Sequence, residues 1–188
     1  MGSAAKRKSI QLLLRRQRCG MAIFQETKLE FIDEKVVKQG VEDWRCGIIG
    51  LYAPFVVTEQ REFWEKVVTI ILEKNVAWCV GGDFNMVRCV DERRGCVIGR
   101  REISDFCNFV EVAALSDVLL QGKLFTWFGS GNKCGQLDRF LVSTDWFQRF
   151  DSLVVINLPR ELSDHSPIML VSDVCDSGPK PFRFLKRG

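Results

Sequence analysis

Asp83 and Asn85 close a short apolar run, Trp78-Cys79-Val80-Gly81-Gly82-Asp83-Phe84-Asn85, and their two-residue spacing lets both side chains address one point. An aspartate there can act as a base or hold a cation, and an asparagine can donate to a phosphate oxygen. The same spacing also suits an Asx turn that caps the strand. The run Leu162-Ser163-Asp164-His165-Ser166-Pro167 contains the only histidine of the chain. Any chemistry that needs an imidazole near neutral pH therefore rests on His165. Asp164 alternates to the other face of an extended segment. Asp138, in Gln136-Leu137-Asp138-Arg139-Phe140, could reach the ring from a neighbouring strand. A carboxylate on one ring nitrogen leaves the other as a base. A surface His-Pro turn is the plainer alternative. Glu26, in Phe24-Gln25-Glu26-Thr27-Lys28, follows the first apolar run, and Tyr52, the only tyrosine, ends another before Pro54. Taken alone, these two read as a loop acid and a rim aromatic.

The chain around these residues alternates helix and strand. Residues 4–18 read as a helix with Ile10, Leu13 and Leu14 on one side, and Met21 to Phe24 as a short strand. Cys46 to Ala53 reads as a strand closed by Pro54. Glu59 to Glu73 has helical spacing, with Phe63, Val67, Ile70 and Ile71 on one face and Thr58 as its N-cap. Ala77 to Val80 is a buried strand, with Gly81-Gly82 allowing a tight turn. Ser104 to Ala114 is a third helix with Phe106, Phe109, Val110 and Ala113 inward. Strands are expected over 124–128, 136–142, 153–156 and 167–171. This is an α/β or α+β layered domain spanning residues 1–173, with a polar, basic, linker-like tail over 174–188.

The 188 residues are 46% apolar and 27% charged, which excludes wholesale disorder. No run approaches the ~18 apolar residues of a membrane span. The net charge of +3 hides an asymmetry. The first 25 residues hold six basic side chains and the last twelve hold four, with no acid in either. The middle carries 17 basic residues against all 24 acids, a net charge of −7. An acidic middle suits a cation-gathering site better than a surface that coats DNA, and the basic ends could touch nucleic acid. Eight cysteines without a C-x-x-C pair or a secretory start read as reduced, mostly core thiols of an intracellular protein, nuclear or cytoplasmic.

In order along the chain, Q-E-T, Y-x-P, G-D-F-N, L-D-R-F and S-D-H-S-P each fall at a strand end. This series resembles the endonuclease/exonuclease/phosphatase superfamily, which has the DNase I-like fold: a four-layer sandwich of two β-sheets flanked by helices. The wording Phe24-Gln25-Glu26-Thr27-Lys28, Leu124-Phe125-Thr126-Trp127 and Leu137-Asp138-Arg139-Phe140-Leu141-Val142-Ser143 is similar to the endonuclease domain of plant non-LTR (LINE-type) retrotransposons. Phe182-Arg183-Phe184 is similar to the segment that leads there toward the reverse transcriptase. The resemblance implies phosphodiester hydrolysis of DNA with Mg²⁺, or Mn²⁺ in its place. It implies that Glu26 ligates the metal and that Asp164 orients a metal-bound water or a second ion. His165, held by Asp138, would stabilise the phosphate or act as base. Asp83 would position the attacking water and Asn85 would donate to the phosphate. Tyr52 and Thr126 would contact the scissile phosphate, and Ser163 would support the substrate-binding loop.

The chain also departs from that pattern. Family members open with a strand ending in a W-N-x-R-G-like motif, and this sequence begins just beyond that point. Glu26 and Tyr52 are only 26 residues apart, so 38–42 is expected to bridge a deletion. Phe55 stands where the Y-x-P motif is usually followed by Asn. An incomplete sandwich, with an open edge beside Met21 to Phe24 and impaired activity, is therefore expected. Two other readings remain: a phosphatase of the same fold, and a non-catalytic retroelement fragment that at most binds nucleic acid through its basic ends.

Overall fold

The computed structural model describes residues 21–24, 31–39, 42–150, 152–160, 163–172 and 183–187. The expected helix over 4–18 lies outside them. One sheet has the order β2 (Phe31–Gln39), β3 (Glu42–Tyr52), β4 (Ala77–Asp83), β10 (Asp138–Ser143), β6 (Leu115–Asp117). The second has the order β1 (Met21–Phe24), β13 (Arg183–Arg187), β12 (Ile168–Ser172), β11 (Leu153–Asn157), β7 (Leu120–Gln121). A small third sheet joins β5 (Arg93–Arg94), β9 (Cys134–Gly135) and β8 (Trp127–Phe128). The helices are α1 (Val57–Glu73), α2 (Arg100–Val112) and the short α3 (Thr144–Arg149).

Strand β4 is buried along its whole length, which matches its continuous apolar run and its central place. It pairs parallel with β3 through the α1 crossover and antiparallel with β10. Side chains that alternate across these strands feed two cores. On one face, Ile49, Leu51, Val80 and Leu141 pack under Trp64, Val67 and Ile71 of α1 and Phe106, Phe109 and Val110 of α2. On the other, Ile48, Cys79, Phe140 and Val142 pack against Val155, Ile168 and Leu170 of the second sheet. The described residues thus stack helices, sheet and sheet in a mixed α/β sandwich of the DNase I-like kind.

Several local expectations change. Helix α1 begins at Val57, so Thr58 lies inside it; Val56 is the N-cap and makes no side-chain capping bond. The Gln60 amide instead donates to the Pro54 carbonyl at 2.8 Å, which fastens the helix start. Phe63 and Ile70 are only partly buried, because Gln60 and Trp64 turn the inward face by one position. Gly81 and Gly82 do not form a turn but continue β4 to Asp83. A Cβ on Gly81 would lie 2.3 Å from the Phe140 ring, so glycine is needed there for close packing. Lys38 and Gln39 end β2 and Glu42 begins β3 in an antiparallel pair. Strand β1 stands at one end of its sheet and has a strand partner on one side only among the described residues. Strand β13, from the segment expected to be a linker-like tail, pairs parallel with β1 and antiparallel with β12, which gives backbone groups of both strands partners. Of the six described cysteines, Cys46 and Cys79 are buried, Cys89 is exposed and the rest are intermediate, so the core expectation holds for two. No helix among the described residues is long and apolar enough to cross a membrane.

Candidate active site

Strand register brings the site together. Tyr52 pairs with Asp83 across β3 and β4, and Asp83 pairs with Asp138 across β4 and β10, so three candidate residues stand side by side at one sheet end. His165 comes from the loop before β12 in the second sheet and is fixed by a bridge to Trp127. Its Nδ1 lies 2.8 Å from Asp138 Oδ2, and its Nε2 lies 3.7 Å from Asp83 Oδ2. Both aspartates are almost wholly buried, while the imidazole keeps a small exposed edge. A carboxylate at Nδ1 accepts the proton there, so Nε2, on the Asp83 side, is the nitrogen that exchanges a proton.

Backbone contacts hold these groups. The Thr126 hydroxyl oxygen accepts from the N–H groups of Leu137 (3.0 Å) and Asp138 (2.9 Å), while the Thr126 carbonyl accepts from Ser166 N–H. Thr126 thus joins the Asp138 strand to the His165 loop. It is fully buried, so this geometry gives it a structural task in place of the expected phosphate contact. Asn85 has φ +49° and donates from its own N–H to Asp83 Oδ1 at 2.9 Å. This is the Asx turn foreseen beside the catalytic reading, and asparagine tolerates that left-handed backbone. The Asn85 side chain donates to the Ala53 carbonyl at 2.7 Å, which ties it to the β3 end beyond Tyr52. Tyr52 itself is 44% exposed. The Ser163 hydroxyl oxygen accepts from His165 N–H at 3.2 Å. Asp164 is exposed and accepts from the Trp127 indole at 3.1 Å, outside the cluster of Asp83, Asp138 and His165. Glu26 lies outside the described residues.

The sequence reading missed the part played by Arg139. It is buried on the opposite face of β10 from Asp138, over the Phe106 ring. Its guanidinium pairs with Asp117, with Glu92 at 2.7 Å, and with the Gln136 carbonyl at 2.9 Å. Burial pulls the Arg139 pKa down, but the Asp117 and Glu92 carboxylates outweigh it and leave it above the ordinary arginine value. Burial raises the Asp117 carboxyl, and Arg139 offsets only part of that rise. The available signal was a charged residue inside the apolar run Leu137 to Val142, one step out of phase with Asp138. A groove of about 340 Å³ between α1 and α2, lined by Trp64, Val68, Phe109 and Val112 among others, includes none of these residues.

The Endonuclease/Exonuclease/phosphatase family model matches residues 4–165. No curated protein matches the chain. Among solved structures, a Neisseria 3′ phosphatase, NExo, bound to a product DNA hairpin is similar at 16% identity and TM-score 0.54, covering 70% of this chain and 62% of that one. The catalytic domain of Xenopus laevis APE2 is similar at 14% and 0.53, covering 74% and 53%. The endonuclease domain of TRAS1, a telomere-specific non-LTR retrotransposon, is similar at 12% and 0.50, covering 76% and 64%. The chain therefore spans less than two thirds of each of these structures, and at such identities the likeness is one of fold. The match over residues 4–165 nevertheless takes in most of the sequence, so the chain belongs to the endonuclease/exonuclease/phosphatase family.

Proposed function

We propose that this chain hydrolyses phosphodiester bonds in DNA as the endonuclease domain of a retroelement, with His165, Asp138 and Asp83 at the reacting phosphate. The observation that carries this reading is the join across two sheets: Asp138 on Nδ1 and Asp83 facing Nε2 of one imidazole. Asp138 orients the ring and supports its positive charge, so Nε2 can take a proton from the attacking water or donate to the phosphate. Asp83, with one oxygen held by Asn85 N–H, directs the other toward the same space. Tyr52, at the neighbouring strand end, offers a phenol to the phosphate rim. The retroelement assignment rests on the residue wording at 24–28, 124–127 and 137–143.

Ligand atoms of Asp83, Asp138 and His165 lie within 4.8 Å of one another, and the carboxylate oxygens among them are the hard donors that suit Mg²⁺. With Asp138 committed to the ring, Asp83 would hold Mg²⁺ or Mn²⁺ from this cluster, joined by Glu26. Such an ion supplies charge neutralisation on the phosphate oxygens. The test is supercoiled plasmid incubated with the purified chain, with and without EDTA, beside a duplex bearing a 3′ phosphate. Metal-dependent nicking supports the endonuclease. Phosphate release without nicking would replace it with the phosphatase reading. Binding that falls steeply with salt, without either reaction, would leave a nucleic-acid-binding fragment.

A further inference from the structure

We propose that Arg139 is a positioning residue which, from the side of the sheet away from His165, locks the loop carrying Asn85 and so fixes the Asp83–Asn85 turn. The loop over 84–92 leaves β4 directly opposite Asp138, where Phe84 N–H donates to the Leu137 carbonyl at 2.8 Å. It returns to the same strand entry eight residues later. There Gln136 N–H donates to the Glu92 carbonyl at 2.9 Å, and the Arg139 guanidinium grips the Glu92 carboxylate. That carboxylate also accepts from Arg88 N–H at 2.7 Å, which tightens the returning turn. Both ends of the loop are thus tied to residues on either side of Asp138. Phe84, Met86 and Val87 fill the core between them.

Inside this tether Asn85 holds its left-handed backbone, an arrangement that persists when its surroundings over-determine it. Arg139 is suited to the task because one planar fork serves Asp117, Glu92 and the Gln136 carbonyl at once. A lysine keeps the charge and cannot span the three acceptors. Its effect on catalysis depends on the proposed nuclease function, but its effect on the loop does not.

The experiment combines residue-resolved amide hydrogen exchange with plasmid nicking for Arg139→Lys and Glu92→Gln. Glu92→Gln keeps Arg139 in place and covers the case in which Arg139→Lys fails to fold. Exchange at Phe84 and Asn85 should quicken by about tenfold or more, with amides of β11 and β12 unchanged. In nicking, kcat should fall roughly 10²-fold, as for a small misplacement of a reacting group, while KM stays within about twofold. Unchanged exchange at Asn85 in a folded variant overturns the proposal, as does uniform quickening across both sheets. If the parent chain does not nick DNA, the endonuclease reading fails and the exchange result still decides the role of Arg139.

Discussion

Asp138 and Arg139 are neighbours on β10, and the two faces they serve use similar chemistry to different ends. On one face, buried carboxylates meet an imidazole that keeps an exposed edge. On the other, two carboxylates meet a guanidinium with 1% of its side chain exposed. An imidazole can take up or release a proton at a ring nitrogen, and a guanidinium keeps its charge. One strand therefore carries a cluster able to move a proton and, one residue on, a fixed cluster that anchors it. Charge clustering alone does not mark a site. Access and a titratable partner do.

The largest contrast should appear when each centre is removed. His165→Ala should lower nicking by roughly 10²–10⁴-fold and, because it takes a partner from the buried Asp138 and Asp83 carboxylates, should lower the melting temperature too, but by less than Arg139→Met. Arg139→Met should act on stability first. Stranding the Asp117 and Glu92 carboxylates should cost about 3–5 kcal/mol of stability, read by urea unfolding. If His165→Ala melts as low as Arg139→Met, the contrast between the faces is broken. Smaller, and sharper, is Thr126→Val. It leaves the buried N–H groups of Leu137 and Asp138 without their shared acceptor, at about 1–3 kcal/mol. Its nicking should fall with stability, and recover in part on cooling.

The smallest effect concerns pH. The folded Asp117 carboxyl is raised by burial, so the neutral form is favoured in the folded chain. Its stability contribution is present below the ordinary aspartate value of about 3.9 and is lost as pH rises through the higher folded value. Asp117→Asn cannot ionise and should lack that decline. Urea midpoints from pH 3 upward should therefore fall relative to the variant across that window in the parent alone. A constant difference between the two chains would show that Arg139 fully offsets burial.

Strands β3, β4, β10, β11 and β12 were legible because their apolar runs are continuous and bounded by Pro, Gly or acidic residues. The Asp138–His165 contact was legible because only one histidine exists and strand ends gather polar groups. Three features were not. Strand β2, Phe31-Ile32-Asp33-Glu34-Lys35-Val36-Val37-Lys38-Gln39, is too charged to stand out, and its partner β3 specifies it. Strand β13 lies in a basic segment whose pairing depends on a distant edge at β1. The role of Arg139 depends on Glu92 and Asp117, which are far from it in sequence and close only through the fold.

The proposed joint action of His165 and Asp83 on one phosphate is tested most directly by a double-mutant cycle on nicking. His165→Ala, Asp83→Ala and the pair should be measured for kcat/KM on supercoiled plasmid with Mg²⁺. Residues that act together lose their effect together, so the double variant should be little slower than the worse single variant. Losses that multiply, or nicking that survives in the double variant, would contradict the shared site.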